Sequence, residues 1–327
     1  MSQNATTPTI DVHLSAAAAT QALRSDALKG LTATPKWLPP KWFYDKRGSE
    51  LFDLITMLPE YYPARAEREI LETHGADIAR RTDARALVEL GSGLSVKTRL
   101  LLDALRRNGS LRHFVPLDVS VAALTASVDG IAADYPGLVV HGIVGDFTEH
   151  LAELPHGSPR LVAFLGGTIG NLLPVERASF LSSVRAALVP GEWLLLGTDL
   201  VKDPETLIRA YDDEAGVTAE FNRNVLHVIN RELGGDFDVA AFTHRAVWDS
   251  AQEWIEMRLV AQREMLVSLP GIERSIVFES GEQLRTEVSA KFTRERVEWE
   301  LASAGFSLDT WWTDTRGRFA LSLARAV

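Results

Sequence analysis

The chain contains no cysteine among its 327 residues. Disulfide bonds, thiolate zinc sites and cysteine nucleophiles are therefore excluded. Long apolar runs are also missing, because no stretch approaches the ~18 uninterrupted apolar residues that predict a membrane-spanning helix. The N-terminal segment lacks the basic stretch followed by an apolar one that is typical of a secretory signal. From these features we expect a soluble, cytoplasmic protein.

Positive charge is also scarce, with 34 Lys and Arg against 44 Asp and Glu, which gives a net charge of −10. Proteins that bind nucleic acids usually present a basic face that neutralises phosphates. The acidic balance therefore disfavours nucleic acids and anionic membranes as partners. It is compatible with a monomer, which we expect.

The N-terminal region combines prolines with aromatic residues. Residues 1 to about 20 are small and polar and are predicted to be frayed, and a helix is predicted near residues 16–31. Prolines then prevent one long helix across residues 35–65. The aromatic residues between them indicate either a shaped surface or lid, or a hydrophobic cover on the core.

From about residue 66 the sequence alternates between apolar strands and helices. The predicted strands are residues 86–90, 114–118, 138–144, 161–165 and 193–197, and the predicted helices include 96–105, 121–133 and 174–188. This alternation predicts an α/β fold with a parallel sheet covered on both faces.

After Asp199 the alternation ends. Residues 205–230 are predicted to be mostly helical, followed by strands at 254–267, 272–278 and 284–292, a helix at 293–304, and a hairpin that pairs 306–312 with 319–324. We therefore predict three segments, 1–65, 66–201 and 202–327, of which the middle one is a separate domain.

Four features follow four consecutive predicted strands. They are the turn with Gly91 and Gly93, Asp118, the pair Asp146 and Phe147, and residues 166–168. Ligands bind beyond the carboxyl ends of strands in open parallel sheets, where glycines let the backbone approach closely and a carboxylate can accept hydrogen bonds from ribose. Asp146 can accept an adenine amino group while Phe147 packs on the ring. Each of these residues alone could be a helix-cap or turn residue. Four such features at the ends of four consecutive strands indicate a nucleotide cofactor.

The turn after the first of these strands favours one cofactor over another. A dinucleotide site has a third glycine three residues after Gly93, and this position is Val96. Glu89, just before the turn, would repel a pyrophosphate but could hold the amino group of a methionine moiety. The sequence therefore predicts S-adenosyl-L-methionine rather than NAD. The C-terminal hairpin resembles the end of a class I methyltransferase sheet, so we predict that Rossmann-like sheet with an α+β substrate-binding domain.

The segment after the fourth predicted strand reads Asn-Leu-Leu-Pro at residues 171–174. It lacks the two prolines and aromatic residue usual in methyltransferases that act on nucleic-acid amino groups, which indicates a small substrate. Several longer motifs extend well beyond the predicted cofactor-binding turns: PPKWFYD (39–45), LPEYYP (58–63), LVELGSG (87–93), KTRLLLDA (97–104), GDF (145–147), TIGNL (168–172), LLLGTDLVKD (194–203), RAYDD (209–213), GVTAEFNRNVL (216–226), TEVSAKF (286–292) and WWTD (311–314). In these motifs, from about residue 20 onward, the chain resembles the histidine-specific methyltransferases of ergothioneine biosynthesis.

The resemblance implies an enzyme that converts L-histidine to hercynine, its Nα-trimethylated betaine. Segment 66–201 would bind the methyl donor, and segments 1–65 and 202–327 would form the substrate-binding domain. The implied donor-binding residues are Tyr44, Gly91, Lys97, Asp118, Asp146 and Phe147. The implied histidine-binding residues are Tyr61, Asn171 and Tyr211 for the backbone groups, and Glu287, Val288 and Ser289 for the imidazole. No catalytic base and no metal site are predicted from the sequence, and Asn171 and Tyr44 are expected to act as positioning residues.

Some positions depart from the family pattern, and other functions stay open at this point. Gly167, Ser120 and Ala290 stand where Ser, Asp and Cys are usual. The alternatives are a class I methyltransferase for another amino acid or small amine, and a non-catalytic S-adenosylmethionine sensor. Without the resemblance, Glu287 and Ser289 could be solvent-exposed strand residues, and Tyr61 and Tyr211 could be core aromatics.

Overall fold

The computed structural model describes residues 7–93, 95–155 and 159–327. The chain divides into two units, which are described separately. The first comprises Met1–Leu14, Pro63–Leu200 and Phe292–Val327, and the second comprises Ser15–Tyr62 and Val201–Lys291. Within the described ranges, no helix has both the length and the apolar character needed to cross a membrane.

Strands and helices follow one another along the chain as named here. The strands are β1 (Thr9–Val12), β2 (Ala86–Leu90), β3 (His113–Asp118), β4 (Val139–Val144), β5 (Arg160–Phe164), β6 (Trp193–Asp199), β7 (Phe242–Asp249), β8 (Trp254–Ala261), β9 (Met265–Leu269), β10 (Arg274–Phe278), β11 (Gln283–Ala290), β12 (Phe306–Thr313) and β13 (Phe319–Ala326). The α-helices are α1 (Ala16–Leu31), α2 (Lys46–Met57), α3 (Pro63–Thr82), α4 (Thr98–Asn108), α5 (Val121–Asp134), α6 (Pro174–Ala187), α7 (Pro204–Tyr211), α8 (Val217–Leu233) and α9 (Arg294–Ser303).

The first unit is built on an eight-stranded sheet with the order β1-β4-β3-β2-β5-β6-β13-β12. The strands from β1 to β6 are parallel to their neighbours, whereas β13 runs antiparallel to both β6 and β12. The chain leaves β2 toward β3 and β4, and then returns to the other side of β2 with β5. The predicted Rossmann-like, class I methyltransferase sheet is therefore confirmed.

The central strands are continuous apolar runs because both faces of the sheet are covered. Leu87, Phe114 and Leu161 are fully buried, and α4 and α5 contribute Leu101 and Ile131 to the same core. Burial of each such side chain contributes about 1.5–3 kcal/mol. This packing fixes the carboxyl ends of β2, β3, β4 and β5 relative to one another.

The second unit contains an antiparallel sheet with β8 between β7 and β11, and a separate pair of β9 and β10. Helix α8 packs against α2, β7 and β8. Its buried residues include Phe221 and Val225, while α2 buries Leu51 and Ile55.

Two local predictions were wrong, and one strand was missed. The region up to residue 20 is not frayed where it is described, because β1 pairs in parallel with β4 and α1 begins at Ala16; residues 1–6 lie outside the described residues. The single strand predicted over 254–267 is two strands, β8 and β9, separated by a turn. Strand β7 was not predicted, since its exposed and buried residues alternate without a strong apolar run.

The observed units also differ from the predicted segments. Residues 7–14 and 292–327, predicted as parts of the substrate-binding domain, belong to the unit that contains the large sheet. The physical reason is backbone pairing: β1 extends one edge through β4, and β13 bonds to β6 and carries β12 with it.

Candidate active site

The turn after β2 lies where the strand order reverses, which is the usual ligand position in open α/β sheets. Gly91 and Gly93 have φ values of +67° and +50°, a region that side-chain-bearing residues rarely adopt. The N–H groups of Gly91 and Ser92 donate to the Leu117 carbonyl at the end of β3, at 2.8 and 3.2 Å. The sequence thus forms a tight turn that is tied to the neighbouring strand.

Asp118 connects the end of β3 to this turn. Its Oδ2 accepts the Gly93 N–H at 2.8 Å, and its Oδ1 accepts the Ser120 N–H at 2.9 Å. Burial raises the pKa of the Asp118 carboxyl, while these two donors act in the opposite direction. Each carboxylate oxygen has a second lone pair, so Asp118 can hold the turn and still accept bonds from ribose hydroxyls.

Phe147 and Asp146 follow β4, as predicted. The Phe147 ring packs edge-on against Phe164 and Phe180, with centroids 5.0 and 5.6 Å apart. A Cβ added at Gly91 would lie 3.8 Å from Phe147 Cε1, so the ring is next to the turn. Oδ1 of Asp146 accepts bonds from the Thr148 N–H and hydroxyl, at 2.9 and 2.6 Å. The structure therefore brings an aromatic ring and a carboxylate to the same sheet edge as Asp118.

Lys97 precedes α4 and forms an ion pair with Glu67 of α3. Glu67 is completely buried, and its Oε1 accepts the Gly166 N–H at 2.7 Å. One carboxylate thus joins the loop after β2 to the loop after β5. Sequence reasoning missed Glu67, because nothing in the helical pattern around it distinguishes it from Glu69 and Glu72.

Glu89, which the sequence suggested could hold a methionine amino group, is bonded to residues that follow the turn. Its two carboxylate oxygens accept bonds from the hydroxyls of Ser95, at 3.1 Å, and Thr98. Ser95 in turn accepts the Ser127 hydroxyl at 2.8 Å. Glu89 is buried and binds the segment that follows the turn, which is a structural role.

Glu89→Gln is expected to remove a pH-dependent part of the stability. Burial raises the pKa of Glu89 from 4.5 to about 7, so between these values the folded chain keeps a proton that the unfolded chain releases. The stabilising contribution is therefore complete below pH 4.5 and is lost as the pH rises through about 7. At ~1.36 kcal/mol for each pKa unit, the loss is roughly 3 kcal/mol.

Urea unfolding of both proteins at about pH 5 and about pH 8 measures this effect. The wild-type protein should lose roughly 2–3 kcal/mol more than Glu89→Gln between the two conditions. Equal pH dependence of the two proteins would contradict the assignment.

Asn171 ends a short 3₁₀ turn, Thr168–Asn171, that follows β5 and the glycines of the next loop. Gly167 has a φ of +72°, and a Cβ there would lie 3.4 Å from Phe319 Cε2. Glycine therefore fits the backbone conformation at position 167 better than the Ser that is usual in the family. Asn171 belongs to the first unit, as do the donor-binding candidates Gly91, Lys97, Asp118, Asp146 and Phe147.

The three predicted tyrosines lie in the second unit and belong to one group of aromatic rings. Phe52 lies 5.6 Å from Tyr44 and 6.1 Å from Tyr61, and Tyr61 lies 6.2 Å from Tyr211, measured between ring centroids. Tyr44 is 38% exposed, whereas Tyr61 and Tyr211 are buried. Tyr44, assigned by resemblance to the methyl donor, is thus in a different unit from the other donor-binding candidates.

Glu287, Val288 and Ser289 lie on β11, after an irregularity in its pairing with β8. Ser289 is buried, and its Oγ lies 2.7 Å from the Tyr211 hydroxyl oxygen. The alternative in which Glu287 and Ser289 are solvent-exposed is therefore wrong for Ser289, whereas Glu287 is half-buried; Val288 is also buried.

Lys291 is a second residue that sequence reasoning missed. Its Nζ donates to the Tyr211 hydroxyl at 2.9 Å and to Ser289 Oγ at 2.8 Å. The sequence did contain an indication of its role, because Lys291 continues the alternation of Glu287 and Ser289 along one strand face.

A buried histidine fixes the backbone of Tyr211. His244 Nε2 donates to the Tyr211 carbonyl at 2.8 Å, while Nδ1 accepts from Asn222 Nδ2 at 2.8 Å. Burial lowers the pKa of His244, so this neutral tautomer is the favoured form. The Asn222 Oδ1 accepts the Thr286 hydroxyl at 2.6 Å, which completes the network. His244 therefore has a structural role.

The residues at the sheet edge match the chemistry of S-adenosylmethionine. Asp118 offers acceptors for a ribose, Phe147 offers an apolar ring for adenine, and Lys97 offers a cation for a carboxylate. Within the part of the chain that the structure describes, no cluster of three or more His, Asp or Glu side chains could hold a metal ion.

Comparisons with known proteins show which family the chain resembles. The family model of S-adenosylmethionine-dependent, histidine-specific methyltransferases matches residues 23–326. Histidine N-alpha-methyltransferases from Mycobacterium tuberculosis and Mycolicibacterium smegmatis are 56% and 55% identical, each over 95% of this chain and 97% of the relative. Ergothioneine biosynthesis protein 1 of Neurospora crassa is 29% identical over 85% of this chain and 32% of that protein.

The family model covers nearly the whole chain, and the two bacterial relatives far exceed the similarity that a shared fold alone would give. This chain therefore belongs to the family of S-adenosylmethionine-dependent, histidine-specific methyltransferases and is an enzyme of that family.

Proposed function

We propose that this enzyme transfers three methyl groups in succession to the α-nitrogen of L-histidine and forms hercynine, the betaine of ergothioneine biosynthesis. The observation that carries the proposal is the 56% identity, over 95% of the chain, to the histidine N-alpha-methyltransferase of M. tuberculosis. The runner-up is methylation of another amino acid or small amine, which the β11 residues Glu287 and Ser289 argue against.

The methyl donor is proposed to bind to residues of the first unit. Gly91 permits close approach, Asp118 accepts from the ribose, and Asp146 and Phe147 bind the adenine. Lys97, held by Glu67, binds the carboxylate of the methionine moiety. Tyr44 of the second unit is proposed near the reacting end of the donor.

The amino acid is proposed to be recognised at both of its ends. Tyr61, Asn171 and Tyr211 bind its backbone groups, whereas Glu287, Val288 and Ser289 bind the imidazole. A carboxylate accepts from one ring nitrogen, and a hydroxyl donates to the other. A site that satisfies both nitrogens leaves its own buried groups unpaired when another side chain enters, so it discriminates strongly.

The chemistry requires a neutral amine whose lone pair is aimed at the methyl group, and positioning of this kind can lower a barrier by about 7–11 kcal/mol. Peptide α-amines titrate at about 7.7–8.0, so much of the substrate is protonated near neutral pH. When bound, S-adenosylmethionine supplies the methyl group and a sulfonium charge that disfavours a protonated amine. Asn171 orients the amine, and the aromatic rings around Tyr61 accept the growing cation on their π faces. No side chain is assigned as the base, and water carries the proton away.

The proposal is tested by incubating the purified protein and S-adenosylmethionine with L-histidine, N,N-dimethylhistidine or L-tryptophan. Mass spectrometry should detect trimethylated histidine from both histidine substrates and little product from tryptophan. No turnover of either histidine substrate would contradict the histidine assignment. Turnover also separates the enzyme from a non-catalytic sensor.

Glu287→Ala should lower kcat/KM for L-histidine by about 10- to 100-fold, because a hydrogen bond to a charged group contributes ~1.5–3 kcal/mol. Its preference for histidine over tryptophan should shrink, while KM for the methyl donor stays unchanged. The control is Glu264→Ala, which removes an exposed carboxylate from the turn between β8 and β9. Undiminished discrimination in Glu287→Ala would remove this residue from imidazole recognition.

The partner in this proposal is a small molecule, and nucleic acids and membranes are not partners. The net charge of −10 supports this part, because phosphate contacts need basic side chains. We also propose a monomeric, cytoplasmic enzyme. Light scattering of the purified protein tests the monomer, and a dimeric mass would contradict it.

A further inference from the structure

Glu67 of α3 is a completely buried carboxylate in the unit that contains the donor-binding candidates. It accepts a bond from Lys97 Nζ through Oε2, and from the Gly166 N–H through Oε1 at 2.7 Å. Both directions are fixed, because an ammonium and a backbone N–H only donate. Burial of a charge is costly, and a buried ion pair is weak evidence for stability. The burial of this carboxylate therefore calls for an explanation beyond stability.

The ion pair between Glu67 and Lys97 is oriented, with its positive end toward solvent. Lys97 keeps 30% of its side-chain surface exposed, whereas Glu67 keeps none. Because the interaction between two charges weakens with distance, an anion that approaches from the exposed side meets the ammonium before the buried carboxylate. An ammonium has three donors, and Glu67 accepts one of them. The pair can therefore act as a fixed cationic contact although its net charge is zero.

Gly197 of β6 provides the space that the Glu67 carboxylate occupies. A Cβ at this position would overlap Glu67 Oε1, and it would lie 3.3 Å from two carbons of the Phe319 ring. The φ of Gly197 is not positive, so the backbone itself does not require glycine. Glycine within a strand often marks the close approach of another group. Here that group is the end of the Glu67 side chain.

We infer that Glu67 is a positioning residue for the methyl donor: it holds the Lys97 ammonium in place for the terminal carboxylate of the donor, and Gly197 makes room for it. The inference rests on the proposed function, in which Lys97 binds that carboxylate. A mobile lysine loses rotamer freedom when it binds a ligand, whereas a lysine held by Glu67 has already lost this freedom in the folded protein. Glu67 should therefore matter for ligands that carry the carboxylate.

A purely structural role for Glu67 leads to a different result. If the carboxylate only joined the loops after β2 and β5, its loss would weaken the binding of every ligand of this site alike. If it positions Lys97, the loss is confined to ligands with a terminal carboxylate. S-adenosylhomocysteine and its decarboxylated analogue separate the two cases, because the analogue keeps the adenosine, the sulfur and the amine.

Calorimetric titration compares these two probes on wild type, Glu67→Gln and the control Glu72→Gln, which alters an exposed carboxylate of the same helix. Glu67→Gln should bind S-adenosylhomocysteine about tenfold more weakly, the effect of one hydrogen bond, and the analogue within about twofold of wild type. Glu72→Gln should bind both probes like wild type. An unchanged or higher affinity of Glu67→Gln for S-adenosylhomocysteine, or an equal loss for both probes, would overturn the inference.

A second arm uses Gly197→Ala and carries the test if Glu67→Gln does not fold. The added methyl group displaces the Glu67 carboxylate and leaves the charges of the pair unchanged. Gly197→Ala should therefore also bind S-adenosylhomocysteine about tenfold more weakly and the analogue nearly as wild type does. In Glu67→Ala the methyl group enters vacated space, so Gly197→Ala should have little further effect. Equal effects in the two backgrounds, or an equal loss for both probes, would overturn the inference.

The wild-type protein tests the proposed function separately. It should bind S-adenosylhomocysteine at least about tenfold more tightly than the decarboxylated analogue. Equal binding of the two probes would overturn the assignment of Lys97 to the donor carboxylate, and the basis of this inference with it. A wild-type preference that persists in Glu67→Gln and Gly197→Ala would overturn the inference alone, so the two failures are distinguishable.

Discussion

Asp118→Asn should weaken binding of the methyl donor by about 100-fold or more and leave KM for L-histidine nearly unchanged. Asp118 accepts two backbone N–H groups, from Gly93 at 2.8 Å and Ser120 at 2.9 Å. An amide has one acceptor oxygen, so its NH₂ group would face one of these donors. Each hydrogen bond to a charged group contributes ~1.5–3 kcal/mol. The variant loses one such bond to the turn and weakens those proposed to the ribose, which together correspond to a loss of about 100-fold in affinity for the methyl donor.

Calorimetric titration with S-adenosylhomocysteine measures this change directly. The control is Asp134→Asn, which alters a solvent-exposed carboxylate that pairs with Arg99 on the same unit. That variant should bind the cofactor like the wild type, because exposed ion pairs contribute only ~0–1 kcal/mol. A loss smaller than threefold in Asp118→Asn would show that the turn does not depend on this carboxylate.

The large sheet and the donor-binding edge were predictable from the sequence for one physical reason. Strands buried on both faces are continuous apolar runs, and their carboxyl ends meet at the same edge of a parallel sheet. The turn at Gly91 and Gly93, Asp118 and Phe147 therefore could be placed together before the structure was known. The histidine-binding residues could not be derived in this way and came from the resemblance.

Contacts between distant segments of the chain explain what the sequence did not predict. Glu67 is fully buried and bonds to Lys97 and Gly166, while Glu69 and Glu72 of the same helix are not buried. The sequence pattern around the three glutamates is alike, so only the tertiary packing determines that Glu67 is the one that is buried. Strand β1 is a similar case, because its four residues become a strand only by pairing with β4.

A fully buried ion pair at the opposite ends of the strands gives the largest expected effect on stability. Arg160, at the start of β5, donates to both carboxylate oxygens of Glu192, at 2.8 and 2.6 Å. Its remaining donors reach the carbonyls of Pro155 and Ala187, at 3.1 and 2.7 Å. Glu192 also accepts the Val189 N–H at 2.9 Å. Both side chains are 2% exposed.

Arg160→Met should therefore lower the free energy of unfolding by about 3–5 kcal/mol, because it leaves the Glu192 charge buried without its partner. Adding Glu192→Leu to this variant should recover much of the loss, since the isolated charge is then removed. The matched control is Arg68→Met, which breaks an exposed ion pair with Glu72 and should cost less than ~1 kcal/mol.

Urea unfolding followed by tryptophan fluorescence measures these changes in unfolding free energy, and cofactor titration of the folded variants checks the site. Because Arg160 and Glu192 lie at the amino ends of β5 and β6, away from the turn after β2, the affinity for S-adenosylhomocysteine should be unaffected while the stability falls. A weakened cofactor affinity in folded Arg160→Met, or a double variant no more stable than the single one, would contradict this separation. The carboxyl ends of the strands would then depend on the buried pair at their amino ends, and the sheet would not be the rigid support that the site requires.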